Sequence, residues 1–92
     1  MNNLNSLRDL ERLLKPLANK RRLAALRVIK YRKEVTVGEI ARELKLSIQA
    51  TSRHLQLLAR ADIIDSEQRS LSVFYMLAKS PHPAVRFIID SL

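Results

Sequence analysis

The sequence predicts one mainly α-helical domain that carries a small β-hairpin. Apolar residues recur at three- and four-residue steps in five stretches, which is typical of amphipathic helices. The segment LSVFYML, from Leu71 to Leu77, instead alternates with the period of a strand. Because 92 residues suffice for one compact domain and are too few for two, we treat residues 1–92 as a single domain.

The first two helices are predicted at residues about 5–17 and 20–33. Asn3 or Asn5 is the expected cap of the first helix, and Asn19 that of the second. The second helix has one apolar stripe at Leu23, Leu26 and Ile29 and another at Ala24, Val28 and Tyr31, so we expect a central helix covered from both sides.

Two shorter helices follow between Thr36 and Asp62. Thr36 and Glu39 have the spacing of a capping box, and Ser47 is a good N-cap for the second of the two. On this second helix the polar residues Gln49, Arg53, Gln56 and Arg60 oppose an inward stripe of Ile48, Thr51, Leu55 and Leu58.

The polar stripe of this helix has two interpretations. Gln49, Ala50 and Arg53 lie in the first two turns, where a recognition helix reaches base edges in the major groove. Gln and Arg can each form paired hydrogen bonds with a purine, and the Ala methyl can contact a thymine methyl. A solvated helix face is the alternative, and this helix alone does not decide between them.

The C-terminal part is predicted to form a hairpin and a last helix. Asp62 suits the left-handed end of the preceding helix, and Ile63 to Asp65 form a short strand. Ser66 to Ser70 are the expected turn, before the strand Leu71 to Leu77. The last helix, residues 84–92, is apolar enough to pack in a dimer or on its own subunit.

The net charge of +8 comes from one part of the chain. Between Lys15 and Lys33 there are eight cations and no carboxylate, whereas the charges on either side cancel. Such a block favours a polyanionic partner, nucleic acid before acidic lipid, with a general gain in solubility as the alternative.

Composition excludes several other classes of protein. The chain has no cysteine, and hence no disulfide or thiolate metal site. No apolar run approaches the roughly 20 residues of a membrane span, and the N-terminus lacks a signal-peptide block, so we expect a cytoplasmic protein. Ser52 and His54 point to different sides of one helix, which makes an enzyme the weakest interpretation.

The segments LANKRRLAAL, VGEIARELKLS, ATSRHLQLLARADII and VFYML resemble the ArsR/SmtB group of winged helix-turn-helix regulators. The resemblance is close over residues about 15–77 and implies a homodimer on an inverted repeat of double-stranded DNA. Its DNA-facing positions match Ser47, Gln49, Ala50, Ser52, Arg53 and His54, and its second helix begins with a matching Arg22. Lys20 and Arg21 join this set as neighbouring cations. Arg69 is the single cation of the wing, where family members often carry two or more.

The resemblance also implies a dimer interface and a sensor site. The first and last helices would form the interface, through Leu4, Leu7, Leu10, Leu14, Phe87, Ile88 and Leu92. Metal-sensing members carry a Glu-Leu-Cys-Val-Cys pattern, and here Thr36 and Gly38 replace the two thiols. The last helix offers only Asp90 of the family's other ligands, so we expect no metal, no cofactor and an unknown effector.

Two functional hypotheses remain. The first is a dimeric, sequence-specific DNA-binding repressor. Its phosphate contacts would come mainly from Lys20, Arg21, Arg22, Arg27 and related cations, and its base contacts from Gln49, Ala50 and Arg53. The second is an adaptor or antitoxin-like module that binds another protein through its apolar ends. The pair Gln49 and Arg53, together with the basic block, favours the first, because an adaptor needs neither.

Overall fold

The computed structural model describes residues 6–92. It contains five α-helices, one short 3-10 helix and one antiparallel sheet of three strands within that range. In chain order these are α1 (Leu7–Leu14), the 3-10 helix (Lys15–Leu17), α2 (Lys20–Arg32), β1 (Val35–Thr36), α3 (Val37–Leu44), α4 (Ile48–Arg60), β2 (Ile64–Arg69), β3 (Ser72–Leu77) and α5 (Pro83–Asp90). The mainly helical winged fold is confirmed.

Short polar side chains cap the N-termini of several helices by accepting hydrogen bonds from free backbone amides. Asn19 accepts from Arg22 N at 3.0 Å, and Ser47 accepts from Ala50 N at 3.0 Å. Thr36 and Glu39 form the predicted capping box. The predicted cap of α1 was wrong, because Ser6 accepts from Asp9 N at 3.1 Å and replaces Asn3 or Asn5. The predicted first helix also divides at its C-terminal end, where Pro16 lies in a separate 3-10 turn.

Helix α2 forms the centre of the core. Leu26 and Ile29 are fully buried, and Ala25 and Val28 are nearly so. The prediction that α2 is covered on both sides was wrong at Tyr31, whose side chain is exposed in the last turn. Its hydroxyl instead donates to the Leu92 carbonyl at 3.3 Å and so connects α2 with the end of α5.

The sheet differs from the predicted two-stranded hairpin. Val35 and Thr36 form a third strand that pairs with Tyr75 and Phe74, in the order β1-β3-β2. The predicted turn at residues 66–70 was also wrong, because β2 continues to Arg69, which pairs with Ser72. Backbone pairing with β3 keeps this polar segment extended, and the turn is the two residues Ser70 and Leu71, with φ 55° at Ser70.

Helix α5 packs on its own subunit with one face and leaves another free. Val85 and Ile89 are buried in the core shared with α2, and Ile88 and Leu92 are partly buried against it. Phe87 remains 71% exposed. His82 caps the helix through Nδ1, which accepts from Ala84 N at 3.0 Å, and Pro83 occupies the first turn.

Candidate nucleic-acid interface

A tight connection sets the angle between α3 and α4. Lys45 ends α3 in the left-handed conformation, with φ 58°, and Leu46 N donates to Ala41 O at 3.0 Å. Ser47 then begins α4. Three residues therefore join the two helices, which is the arrangement of a helix-turn-helix.

The inner face of α4 is firmly packed. Leu55 and Leu58 are fully buried, and the buried hydroxyl of Thr51 donates to Ser47 O at 2.8 Å. The prediction that Ile48 belongs to this face was wrong, because its side chain is 57% exposed. Ile48 lies in the first turn, before the point at which α4 meets the core.

The outer face of α4 carries the residues that are predicted to contact DNA bases. Gln49 and Arg53 are exposed near the helix start, and Ala50 is half-buried between them in sequence. Gln56 and Arg60 continue the exposed stripe towards the C-terminus. Because the inner face holds α4 in place, these side chains project from a fixed helix.

Two further positions of the resemblance lie at the edges of this face. Ser47 is exposed, and its hydroxyl caps α4 by accepting from Ala50 N. Ser52 is half-buried. The hydroxyl of Ser47 is therefore already used within the helix, although it retains capacity for a second hydrogen bond.

Arg22 connects the start of α2 with the recognition helix. Its Nε donates to the Pro16 carbonyl, and one terminal nitrogen lies 3.3 Å from His54 Nδ1. His54 is half-buried at this contact. The family resemblance implied that both residues face DNA but not that they touch, because they are 32 positions apart in the sequence.

The environment of His54 disfavours its charged form. Partial burial lowers the pKa of the imidazole below its ordinary value of 6.5, and Arg22, Arg21 and Arg53 lower it further. The neutral ring can then accept the hydrogen bond from Arg22.

The basic block is divided by the fold. Lys20, Arg21 and Arg22 lie at the start of α2, where Arg22 contacts His54 of α4 and Arg21 is near enough to act on the charge of His54. Lys30 donates to Ile89 O at 3.1 Å, and Arg32 pairs with Glu43 of α3. Of the cations in this block, Arg22 and Arg21 therefore act on the recognition helix.

The cation of the wing, Arg69, is paired with carboxylates of the protein itself. Arg69 lies at the end of β2, next to the turn. It forms a bidentate salt bridge with Glu34, in which Nη1 donates to Oε2 at 2.7 Å and Nη2 to Oε1 at 2.9 Å. It also binds Glu67 at 2.8 Å, and its guanidinium lies 4.8 Å from the centre of the Phe74 ring. The hydrogen bonds with Glu34 and Glu67 raise the pKa of Arg69, and the same bonds lower the pKa values of Glu34 and Glu67. Its charge is largely compensated before any ligand arrives.

Exposed apolar side chains on α1 and α5 form an apolar surface. Leu7 is 83% exposed, and Leu14 and Phe87 are exposed as well. Leu10, Ile88 and Leu92 of the predicted interface are half-buried, and Leu4 lies outside the described residues. Beside Leu14 and Ile88 there is an almost wholly apolar depression of about 250 Å³, completed by Leu17, Ala18 and Leu23.

The family model for a helix-turn-helix domain matches residues 17–67, which is more than half of the chain. The chain is also 38% identical over 80 residues to the transcriptional activator HlyU of Vibrio cholerae, an alignment that covers 87% of this chain and 73% of HlyU. The chain belongs to this helix-turn-helix family. It is a transcriptional regulator of the winged, DNA-binding type, and its resemblance to the ArsR/SmtB group is confirmed.

Solved structures of similar proteins share the whole fold of this family member. Reduced HlyU from V. cholerae has a TM-score of 0.79 at 34% identity, over 92% of this chain and 85% of that one. The transcriptional repressor PagR of Bacillus anthracis has a TM-score of 0.75 at 28% identity, over 92% and 93%. The homodimeric winged helix-turn-helix domain Mb0332 of Mycobacterium bovis has a TM-score of 0.80 at 23% identity, over 98% and 80%, which shows the fold alone.

Two other features are absent from the described residues, 6–92. No group of three or more His, Cys, Asp or Glu side chains in that range has the arrangement of a metal site. None of its helices is long and apolar enough to cross a membrane.

Proposed function

We propose that this regulator is a homodimeric repressor that binds an inverted repeat of double-stranded DNA. The observation that carries the proposal is the outer face of α4, where Gln49 and Arg53 are exposed on a helix whose other face is buried. A rigid helix with free polar groups in its first two turns is suited to hydrogen bonding with base edges.

Dimer formation is supported by the apolar surface on α1 and α5. Leu7, Leu14 and Phe87 expose apolar area that a second copy would remove from water. The Mb0332 domain, which shares the fold, is homodimeric. Two copies related by a twofold axis would present two α4 helices to half-sites about one helical turn apart, which predicts the inverted repeat.

The contacts divide between bases and phosphates. Gln49, Ala50 and Arg53 would read bases, while Lys20, Arg21, Arg22, Ser47, Ser52 and His54 would contact the backbone. Arg27, which the sequence also suggested as a phosphate contact, is assigned none in this proposal, since it lies seven residues, or roughly 10 Å, along α2 from Lys20. Arg69 contributes little in this proposal, because Glu34 and Glu67 already hold it.

Repression would follow from occupancy, because a dimer bound over a promoter blocks polymerase. The relatives include a protein named an activator, HlyU, and one named a repressor, PagR. The site of action in this proposal is the cytoplasm.

Selection of bound fragments from the source genome tests the proposal. The expected result is a set of fragments that share an inverted repeat with half-sites about 10 base pairs apart. A reporter gene placed behind the selected promoter should be less active when the protein is present. Binding that is equally strong on all duplexes would contradict sequence-specific recognition, and increased reporter activity would contradict repression.

A further inference from the structure

The contact between Arg22 and His54 lies at the proposed backbone-binding edge of α4. One guanidinium nitrogen of Arg22 is 3.3 Å from Nδ1 of His54, while Arg22 Nε donates to the Pro16 carbonyl. Because an arginine has only donors, Nδ1 must accept, and the imidazole must be neutral at that nitrogen. The free protein therefore holds His54 without a proton on Nδ1.

Among residues 6–92, the charged groups that act on His54 are all cations. Arg22 and Arg21 belong to α2 and Arg53 to α4, and each disfavours a positive charge on the imidazole. Partial burial acts in the same direction, so the pKa of His54 lies below its ordinary value. A phosphate is the kind of ligand that reverses this balance, because it brings negative charge to a cluster of positive groups.

We propose that Arg22 and His54 form a site for a DNA backbone phosphate that is filled with uptake of one proton by His54. The inference rests on the DNA binding proposed above and adds a proton to that binding equilibrium. Arg22 exchanges its bond to His54 Nδ1 for a bond to a phosphate oxygen. Nδ1 takes a proton from solvent and becomes a second donor to the phosphate, and no covalent bond breaks.

Affinity for DNA then depends on pH in a defined direction. Protonation is disfavoured in the free protein and favoured in the complex, so binding strengthens as the pH falls through the range between the two pKa values of His54. The effect is at most about tenfold per pH unit for each His54, because one proton is taken up per site. In the proposed dimer two sites contribute.

The test is the dissociation constant of the full chain for its selected duplex between about pH 5.5 and 8, at constant ionic strength. His54→Gln is the informative variant, because its amide oxygen can still accept from Arg22 but does not titrate. His82→Asn is the matched control, since it removes the other histidine and leaves a good cap on α5.

We expect wild type and His82→Asn to bind more tightly as the pH falls, and His54→Gln to show no such dependence. The same pH dependence in His54→Gln, or none in wild type, would overturn the inference and leave DNA binding in place. No binding to any duplex at any pH would overturn the proposed function and the inference together.

A second measurement does not depend on a variant. The ring protons of His54 report its pKa by NMR in the free protein and in the complex. An increase in this pKa when DNA binds is the expected result. An unchanged or lower pKa in the complex would show that the phosphate site takes up no proton and would overturn the inference.

Discussion

The recognition helix and the wing differ in whether their polar and charged side chains are available to a ligand. On α4, Arg53 and Gln49 are exposed and project from a helix that the core holds still. On the wing, Arg69 binds two carboxylates and lies over Phe74. The comparison teaches that the number of cations near a DNA-binding surface does not give the charge available to phosphates, because internal pairing removes part of it.

The largest expected effect on DNA affinity comes from disrupting the proposed dimer, which separates its two α4 helices. Phe87→Ser removes a large exposed apolar group from the proposed dimer surface, and its loss should weaken self-association. Since the two half-sites are then bound independently, operator affinity should fall by about 10²-fold or more. Sedimentation equilibrium and operator titration measure the two effects.

Leu71→Ser is the control for the dimer prediction. Leu71, at the wing turn, is 98% exposed, so its removal costs little packing within the subunit. It should leave the dimer intact. Equal self-association of Phe87→Ser and wild type would show that the apolar surface on α1 and α5 is not the interface.

Arg53→Ala tests the recognition helix itself. Loss of a paired contact to a base should cost about 1–3 kcal/mol, or roughly 5- to 150-fold in operator affinity, with a smaller loss on random duplexes. Fluorescence anisotropy on both duplexes gives the ratio. Arg86→Ala, an exposed arginine on α5, should change neither value. The base-reading role would be excluded by identical losses on operator and random sequence.

The double variant Glu34→Gln, Glu67→Gln tests the other half of the comparison. Without the two carboxylates Arg69 keeps its charge but loses its ionic partners, so the wing becomes more attractive to phosphates. Affinity for random duplexes should rise, and the slope of log K against log salt should steepen by about 0.9 per protomer. Adding Arg69→Ala should cancel the gain; a gain that persists would come from elsewhere.

The smallest effect concerns the pH dependence of stability at the wing. The pKa values of Glu34 and Glu67 lie below the ordinary 4.5, mainly because Arg69 hydrogen bonds to them. Their contribution to the free energy of unfolding is therefore complete above pH 4.5. It declines as the pH falls through their lower pKa values in the folded state. Thermal melting between pH 3 and 6 should show a slightly weaker acid dependence in the double glutamine variant. Since these groups are exposed, the difference should be small.

Local sequence signals predicted the helix-turn-helix because their physics is local. Each of these signals depends on neighbours within about four residues. They are the Thr36–Glu39 capping box, the caps Asn19 and Ser47, and the left-handed residue Asp62. The strand β1 was not predicted, because a segment of two residues is too short to show the alternation of a strand. Its pairing partner, Tyr75 for Val35, lies far away in the sequence. Ile48 was misplaced because a helical wheel gives direction but not the point where the core ends.

The sequence by itself determined the helices, the caps Asn19, Thr36 and Ser47, the outward polar stripe of α4 and the excess of positive charge near α2, since composition and short spacings are sufficient for these features. Only the tertiary structure decided which cations remain available to a ligand. Contacts such as Arg69 with Glu34 and Arg22 with His54 join residues 35 and 32 positions apart. Their formation depends on how the helices and strands pack, which no local pattern encodes.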